Sequence, residues 1–372
     1  MNGPGDLSIE EYPWPDLEPG ALLMKVEYCG ICGTDKHAYR GELVHLKGTE
    51  AEFSTAFPLI PGHEMVGTVA EITPGAATNI EYGGQALEVG DRIAVAPSVL
   101  CGHCYYCRHP NGYPYCVNQG GYGNTLSAAE PPHLFGGWAE HMYVLPQAYV
   151  YKIPDELPSE IAVYVELMAC AFALDRAQQA SLMDGFNFAD TLLIQGAGPL
   201  GVAHLIKARM MGAGRIVMLD ASDFRLNLAR EFGADLTLNI ESTSEQERLD
   251  AIRDFTQGRG VDLAVECTGR PEAFVEGLNL VRRNGTYIVE GLFIDMGEVM
   301  MNPNLICGKS LNIMGISGHP MSAYIPAMEM MVRHLNDMPL DRYVTHKFPL
   351  DHAEEALKAS MAPDTMKVVI AP

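Results

Sequence analysis

Four cysteines lie within one short segment rich in glycine and proline: Cys101, Cys104, Cys107 and Cys116. Four thiolates on such a loop can close a tetrahedral sulfur shell around Zn²⁺, and a closed shell has no open position for chemistry. The spacing therefore predicts a structural zinc in a lobe that spans residues 98–118. Two disulfides or scattered buried thiols are the alternative, which a reducing compartment disfavours.

A second group of possible metal ligands is spread along the chain: Cys32, His63, Glu64 and Glu166. One thiolate, one imidazole and one carboxylate would leave a fourth zinc position open for water or substrate, as a catalytic zinc requires. A hydroxyl follows Cys32 at Thr34, and an imidazole follows at His37. Each residue alone is ordinary, since a histidine beside a glutamate is more often a surface or core residue. Their joint occurrence carries the prediction.

A glycine-rich motif follows a predicted strand and opens a predicted helix: Gly196-Ala197-Gly198-Pro199-Leu200-Gly201. Gly196 permits a tight turn, Gly198 lets the backbone approach a pyrophosphate, and Gly201 lets helix and strand pack closely. The helix N-terminus, at Pro199 and Leu200, offers N–H donors and a positive dipole end to phosphates. The motif therefore predicts a dinucleotide site.

The residue that should choose between NAD and NADP is Asp220, which closes the next predicted strand. Its carboxylate would accept hydrogen bonds from ribose hydroxyls and repel a 2′-phosphate, so NAD is expected rather than NADP. Arg225, in the following helix, either reaches the same ribose or remains a solvated helix residue. Because arginine also accommodates a 2′-phosphate, Arg225 weakens the preference for NAD slightly.

The elements that must position these residues fall into two regions. Residues before Pro158 combine turn formers with short β-type runs and predict an irregular, mostly β domain. One helix is predicted over Ser159–Ala180, followed by strands and helices at βαβ spacing. The predicted strands are Thr191–Gln195, Arg215–Asp220, Ala234–Asn239, Val261–Glu266, Gly285–Gly291 and Ser310–Gly315. The predicted helices between them are Leu200–Met211, Phe224–Phe232, Ser244–Gln257 and Glu272–Arg282. This pattern predicts an α/β fold with a doubly wound parallel sheet, followed by a helix over Met321–Leu335 and a strand over Lys367–Ile370.

Composition excludes several classes of function. The 372 residues include 25 Lys and Arg against 47 Asp and Glu, a formal net charge of −22. This charge repels phosphate backbones and anionic membrane surfaces, so neither nucleic acid nor a membrane is an expected partner. The N-terminal segment has no basic and apolar export signal, so a cytoplasmic location is expected, with the nine cysteines reduced or bound to metal.

Taken together, GICGTDKH (30–37), PGHE (61–64), the four-cysteine loop, GAGPLG and Asp220 resemble the zinc-dependent medium-chain dehydrogenases/reductases. This group includes alcohol, polyol and threonine dehydrogenases, and the similarity extends over nearly the whole chain. It implies a GroES-like, mostly β catalytic domain over 1–164, a Rossmann NAD-binding domain over 165–317, and a return to the catalytic domain over 318–372.

The resemblance also implies roles for individual residues. Cys32, His63 and Glu166 would ligate a catalytic zinc, with Glu64 able to replace water on that metal, and the four-cysteine loop would hold a second, structural zinc. Asp35 would orient His63 by accepting its other ring N–H. The segment around Glu166 departs from the family's usual sequence, and Cys170 is an alternative thiolate ligand.

The implied reaction transfers a hydride from a secondary alcohol, such as a polyol, sugar alcohol or related small molecule, to NAD. Thr34 would take the hydroxyl proton and pass it through the nicotinamide ribose toward His37. A homodimer or homotetramer is expected by the same resemblance. Two alternatives are a zinc-free quinone or enoyl reductase of the superfamily and a non-catalytic nucleotide-binding protein. The candidate metal ligands count against the first, and the intact Cys32, Thr34, His37 and His63 count against the second.

Overall fold

Both ends of the chain contribute to the same structural unit. The computed structural model describes residues 1–109, 115–180 and 190–372. Unit 1 comprises Met1–Ala169 together with Pro320–Pro372, and unit 2 comprises Cys170–His319. Residues 110–114, within the predicted structural-zinc lobe, lie outside the described part of the chain.

The strands are β1 (Leu22–Gly30), β2 (Val44–His45), β3 (Phe53–Ser54), β4 (Glu64–Ile72), β5 (Arg92–Val95), β6 (Ser98–Val99), β7 (Gly120–Gly121), β8 (His141–Val144), β9 (Val150–Lys152), β10 (Thr191–Gln195), β11 (Arg215–Asp220), β12 (Leu236–Asn239), β13 (Val261–Glu266), β14 (Val281–Val289), β15 (Asn312–Gly315), β16 (Val344–Phe348) and β17 (Lys367–Ile370). The helices are α1 (Gly33–Arg40), α2 (Pro74–Asn79), α3 (Tyr105–Arg108), α4 (Ser159–Ala162), α5 (Val165–Cys170), α6 (Ala173–Ala180), α7 (Pro199–Met210), α8 (Asp223–Glu231), α9 (Glu245–Phe255), α10 (Pro271–Leu280), α11 (Asn304–Lys309), α12 (Tyr324–Arg333) and α13 (Ala353–Ser360). Short 3₁₀ turns occupy Met321–Ala323, Leu340–Arg342 and Leu350–His352.

Unit 1 is built on a seven-stranded sheet in the order β16-β17-β1-β4-β5-β9, with β8 paired to β1. The strand predicted over Lys367–Ile370 is present as β17, and it pairs antiparallel with β1 through Cys29 and Ile370. Apolar residues on β1, including Leu22 and Met24, are fully buried in the core of this unit. The last strand of the chain therefore completes the sheet that begins near its N-terminus.

Unit 2 is a parallel six-stranded sheet in the order β12-β11-β10-β13-β14-β15. The order reverses between β10 and β13, which makes this point the topological switch of a doubly wound sheet. Every residue of β10 is buried, as expected for a central parallel strand covered on both faces. The predicted doubly wound α/β fold is confirmed.

The single helix predicted over Ser159–Ala180 is wrong, because this segment forms α4, α5 and α6 separated by turns. Tyr164, at the first turn, is fully buried and stacks on Tyr343 with ring centroids 4.2 Å apart. Its hydroxyl donates to the Leu340 carbonyl at 3.3 Å. This packing with residues distant in sequence interrupts a helix that the local pattern favours.

Other boundaries differ by a few residues. β14 begins at Val281 rather than Gly285, because Val281 already pairs with Val261 before an irregularity in the register. β12 and β15 each start two residues later than predicted. The described residues contain no helix that is long and apolar enough to cross a membrane.

Candidate active site

The four cysteine thiols of the predicted structural site are brought together in unit 1, with their sulfur atoms within 4.8 Å of one another. The Sγ of Cys104 lies 3.6 Å from that of Cys107 and 3.9 Å from that of Cys116, and Cys101 lies 4.0 Å from Cys107. A tetrahedral zinc with bonds of about 2.3 Å separates its sulfur ligands by about 3.8 Å. The observed separations therefore fit a closed tetrahedral zinc site.

The protonation of these four thiols also suits a metal. The backbone N–H of His103 lowers the pKa of Cys101 to about 6, and the N–H of Cys107 lowers that of Cys104. Burial raises the pKa of Cys107 to about 12 and raises that of Cys116. Crowded thiolates repel one another, so a divalent cation is needed to hold all four in the ionised form that ligates metal.

The second ligand group is assembled by the pairing of β1 with β4. Gly30, at the end of β1, pairs with Glu64, at the start of β4, so the residues just beyond each strand are neighbours. Cys32 caps the N-terminus of α1, and His63 immediately precedes β4. Ligand atoms of Cys32, His63 and Glu64 consequently lie within 4.8 Å of one another.

Asp35 holds the two ligand-bearing loops together rather than orienting His63 directly. Its Oδ2 accepts from the backbone N–H of Cys32 at 2.8 Å, and its Oδ1 accepts from the N–H of Gly62 at 3.1 Å. Gly62 adopts a left-handed φ of 91°, and a Cβ there would overlap the indole of Trp138. The expected hydrogen bond from His63 to Asp35 is wrong for this structure, because His63 Nδ1 has no hydrogen-bond partner among the described residues and each oxygen of Asp35 accepts from a backbone donor.

His63 is buried, and the acidic groups around it favour its protonated form. Burial alone would lower its pKa, but the Cys32 thiolate and the carboxylates of Asp35 and Glu166 raise it to about 10. Its Nδ1 has no hydrogen-bond partner among the described residues. A buried, unsatisfied nitrogen surrounded by anionic groups fits a site built to hold a cation.

Lys367, on β17, is the buried counter-charge of this site. Its Nζ forms an ion pair with Glu64 Oε2 and donates to the Ile31 carbonyl at 3.1 Å. The two side chains are 1% and 0% exposed. Burial alone would lower the pKa of Lys367, but Glu64 above all other neighbours keeps it above the usual value. Glu64 is therefore shared between a lysine and the candidate metal position.

Glu166 is buried on α5 and lies close enough to His63 to raise its pKa. Its carboxylate is not one of the three ligand atoms that cluster within 4.8 Å in the described part of unit 1. Cys170, the alternative thiolate, lies one turn later on the same short helix. Burial and the neighbouring Glu64 raise the pKa of Tyr343 well above its usual range, which keeps its hydroxyl neutral beside these carboxylates.

The two residues assigned to proton transfer lie on α1, directly after Cys32. Thr34 is buried in the first turn, whereas His37 is partly exposed near the C-terminal end. His37 Nδ1 lies 2.5 Å from a carboxylate oxygen of Glu42, a partner that sequence reasoning did not identify. Nearby, His45 is buried, which together with the imidazoles of His37 and His63 lowers its pKa to about 4.

In unit 2, the glycine-rich loop has the close packing that the motif predicts. Gly196 has a φ of 98°, and a Cβ on Gly201 would overlap the Gly196 carbonyl oxygen. A Cβ on Gly198, in contrast, would meet no atom within 4 Å, so the backbone is open on that side. Gly198 caps α7, whose first residues are Pro199 and Leu200. This open helix N-terminus fits a pyrophosphate.

Asp220 lies at the end of β11 and ties the glycine-rich loop to this strand. Its Oδ2 accepts from the Ala197 N–H at 2.7 Å, and its Oδ1 accepts from the Ser222 N–H at 2.8 Å. Arg225 is half-buried in α8, where its own N–H donates to the Ser222 hydroxyl at 3.2 Å. Asp220 is thus already oriented at the sheet edge where a ribose would bind.

Known proteins share this arrangement and sequence. A family model described as an alcohol dehydrogenase GroES-like domain matches residues 18–155, and one described as a zinc-binding dehydrogenase matches residues 199–333. The chain is 31% identical over 374 residues to erythritol/L-threitol dehydrogenase of Mycolicibacterium smegmatis, covering 100% of this chain and 96% of that relative. The chain belongs to the zinc-type medium-chain dehydrogenase family.

Solved structures of other medium-chain dehydrogenases have the same fold. An alcohol dehydrogenase from Thermotoga maritima superposes with a TM-score of 0.85 at 32% identity, covering 98% of this chain and 95% of that one. A structure from Sinorhizobium meliloti, described as a zinc-binding dehydrogenase bound to NADP, gives a TM-score of 0.83 at 26% identity. It covers 100% of this chain and 97% of that one. The predicted family and its alcohol-oxidising activity are confirmed at this level.

For this medium-chain dehydrogenase, sequence reasoning missed Lys367. The signal was available, because Lys367 opens the otherwise apolar segment Lys367–Ile370, all of which is buried. A lysine in a buried strand requires a partner, and a carboxylate is the usual one. That this partner is Glu64 depends on the pairing of strands far apart in the sequence, which the local sequence does not reveal.

Proposed function

We propose that this medium-chain dehydrogenase oxidises a secondary alcohol of the polyol or sugar-alcohol class and uses NAD as the hydride acceptor. The observation that carries the proposal is the convergence of Cys32, His63 and Glu64, with Glu166 nearby, in one buried anionic cluster. The name of the Mycolicibacterium relative, an erythritol/L-threitol dehydrogenase, supports the polyol class.

Cys32, His63 and Glu166 are the proposed protein ligands of a catalytic zinc. A zinc ion held there would lower the pKa of an alcohol hydroxyl, as zinc does for water, and so favour loss of the hydroxyl proton near neutral pH. Glu64 offers a possible fourth ligand and a second carboxylate, whose affinity for metal would be reduced by the ion pair with Lys367. Lys367 would thus weaken the competition of Glu64 with the alcohol for the metal.

Thr34 and His37 are the proposed route for the proton. The buried Thr34 hydroxyl would accept the proton of the alcohol hydroxyl while it gives up its own proton in the direction of His37, and His37, which is partly exposed, would release a proton to water. The carboxylate of Glu42, 2.5 Å from His37 Nδ1, orients the imidazole. Proton release is therefore directed away from the buried metal cluster.

NAD, which accepts a hydride at its nicotinamide ring, would be held by the loop from Gly196 to Gly201 and by Asp220. The carboxylate of Asp220 disfavours a 2′-phosphate, which supports NAD over NADP. The Sinorhizobium relative was solved with NADP, so the preference has to be measured with both cofactors. Arg225 is proposed as a further contact to the adenosine ribose.

Cys101, Cys104, Cys107 and Cys116 are proposed to hold a second zinc that stabilises the lobe over residues 98–118.

The decisive experiment measures reduction of NAD and NADP at 340 nm with erythritol, threitol, sorbitol, 2,3-butanediol and simple secondary alcohols. Metal content is determined on the same full-length protein. We expect two zinc ions per chain and NAD-dependent oxidation of at least one polyol. Protein that lacks zinc, or that reduces neither cofactor with any of these alcohols, would contradict the proposal.

A pair of cysteine variants separates the catalytic cluster from thiols in general. Cys32→Ala should lose one of two zinc ions and more than about a hundredfold in kcat/KM, because it removes a proposed ligand of the catalytic metal. Cys307→Ala is the matched control, since Cys307 is an exposed free thiol in unit 2. It should retain both zinc ions and the full activity. Equal effects of the two substitutions would remove Cys32 from the metal site.

A further inference from the structure

Unit 2 contains a buried acid–base pair that the proposed function does not use. His204 Nε2 lies 3.1 Å from Glu290 Oε2, and the two side chains are 0% and 5% exposed. Neither carboxylate oxygen of Glu290 receives a hydrogen bond from the described residues. A buried carboxylate with one ionic neighbour and no hydrogen-bond donor is costly, so its presence calls for a reason.

The contacts of His204 orient its imidazole against Glu290. Its Nδ1 lies 3.0 Å from the Leu200 carbonyl, which can only accept, so Nδ1 carries a hydrogen. Nε2 then faces Glu290 Oε2 at 3.1 Å, and no hydrogen bond joins these two atoms. Glu290 is the acidic member of the contact and leaves both carboxylate oxygens free of hydrogen bonds from the described residues.

A third side chain in this cluster, Cys267, does not alter that charge. Its Sγ lies 3.8 Å from His204 Nδ1, an arrangement that superficially resembles a nucleophile and its base. Burial, together with Glu290 and Glu266, raises the pKa of Cys267 well above its usual range. The thiol is therefore neutral, and the cluster carries charge without nucleophilic chemistry.

The position of the pair in the sheet indicates which part of a dinucleotide it faces. His204 lies on α7, which begins at the glycine-rich loop, and Glu290 directly follows the last residue of β14. In a doubly wound sheet the dinucleotide binds outside the carboxyl ends of the strands, at the switch point. Asp220, after β11, marks the adenosine half, so β13 and β14 lie under the nicotinamide half. Glu290 is thus at the nicotinamide side of unit 2.

We propose that Glu290, held by His204, binds the oxidised nicotinamide more tightly than the reduced one. The oxidised ring carries one positive charge, and acceptance of a hydride, with its two electrons, makes the ring neutral. A carboxylate in a buried, weakly polar environment stabilises the positive ring and gains nothing from the neutral one. The pair therefore favours binding of the oxidant that alcohol oxidation needs and release of its reduced product. This inference rests on the proposed dinucleotide site.

The test measures the dissociation constants of NAD⁺ and NADH for the full-length protein. Glu290→Gln keeps the shape of the side chain and removes its charge, so it should raise the Kd ratio of NAD⁺ to NADH by about tenfold. Glu290→Asp keeps the charge and should retain most of the wild-type ratio. Glu276→Gln is the control. Glu276 is a carboxylate on α10 of the same unit, and its Oε1 lies 2.6 Å from Arg248 Nε. Its ratio should be unchanged.

A substitution of the histidine tests the sign of the effect. His204→Gln removes the basic side chain that lies against Glu290 and leaves this carboxylate less compensated, so the Kd ratio of NAD⁺ to NADH should fall. If Glu290→Gln does not fold, this variant still tests whether the charge of Glu290 affects the Kd ratio. A ratio that rises in His204→Gln, or that stays constant in Glu290→Gln because both constants change equally, would overturn the inference.

The failure of this inference can be told apart from failure of the proposed function. Wild-type protein that binds NAD⁺ and NADH with a ratio unaffected by Glu290→Gln contradicts the inference alone. Wild-type protein that prefers the 2′-phosphorylated cofactors contradicts the NAD preference, and the same ratio is then measured with NADP⁺ and NADPH. Wild-type protein that binds neither pair contradicts both the proposed function and the inference.

Discussion

At the scale of single residues, the candidate metal site depends on a balance of buried charges. Cys32, Glu64 and Glu166 supply negative charge, and Lys367 is the buried cation beside them. A buried ion pair contributes little net stability relative to apolar residues, but removal of one partner is strongly destabilising. Lys367 therefore makes a buried Glu64 tolerable while that carboxylate remains next to the metal position.

Replacement of this lysine should show that dependence directly. Lys367→Met retains most of the side-chain volume but leaves Glu64 as an unpaired buried carboxylate, so the free energy of unfolding should fall by about 3 kcal/mol. Equilibrium urea denaturation at matched zinc content measures this change. The double variant Lys367→Met/Glu64→Gln removes the unpaired charge and should recover most of the loss. An equal loss in the single and double variants would show that Lys367 acts by packing alone.

The residues that could be predicted from the sequence are those whose neighbours in the chain already reveal their chemistry. The four cysteines and the segments around Cys32 and His63 have such local patterns. Lys367 with Glu64, and His204 with Glu290, do not, because each pair is formed by elements far apart in the sequence. Asp35 was recognised as a supporting residue, but its actual partners are backbone groups that only the folded loops bring within reach.

At the scale of elements, the strands of unit 2 were largely predictable, whereas the division of the preceding segment into α4, α5 and α6 was not. β10, β11 and β13 have their predicted bounds, because buried parallel strands are short continuous apolar runs between turn signals. The sequence of the segment that forms α4, α5 and α6 favours helix throughout, so its interruptions carry no local signal. They arise from contacts such as the stacking of Tyr164 on Tyr343.

Two glycines of the turn between β10 and α7 have different roles. Gly201 is needed for the packing of the fold, and Gly198 would be needed for binding a ligand. Gly201→Ala places a methyl group against the Gly196 carbonyl and should destabilise the protein by about 1–3 kcal/mol, as overpacking does. Gly198→Ala projects a methyl group into open space, so its unfolding transition should match the wild type while NADH affinity falls. Thermal denaturation and NADH fluorescence titration distinguish the two. Loss of stability in Gly198→Ala would contradict this division.

At the scale of the whole molecule, the net charge of −22 places two electrostatic effects in opposition. Exposed ion pairs such as Lys347 with Glu160, 2.5 Å apart, favour the folded state but contribute little in water. The excess of 47 acidic over 25 basic residues produces general repulsion in the compact state. Because salt screens both, the direction of its effect on stability shows which one is larger.

We expect the repulsion to be larger, so salt should stabilise this protein. Between about 0.01 M and 0.1 M NaCl the Debye length falls from about 30 Å to about 10 Å, which screens distant like charges. Relief of about 1 kcal/mol of repulsion would raise the Tm by about 2 °C at pH 7. The same salt series close to the isoelectric point, pI ≈ 4.8, should show almost no increase, because the net charge is then near zero. A Tm that falls with salt at pH 7 would instead show that the surface ion pairs outweigh the general repulsion.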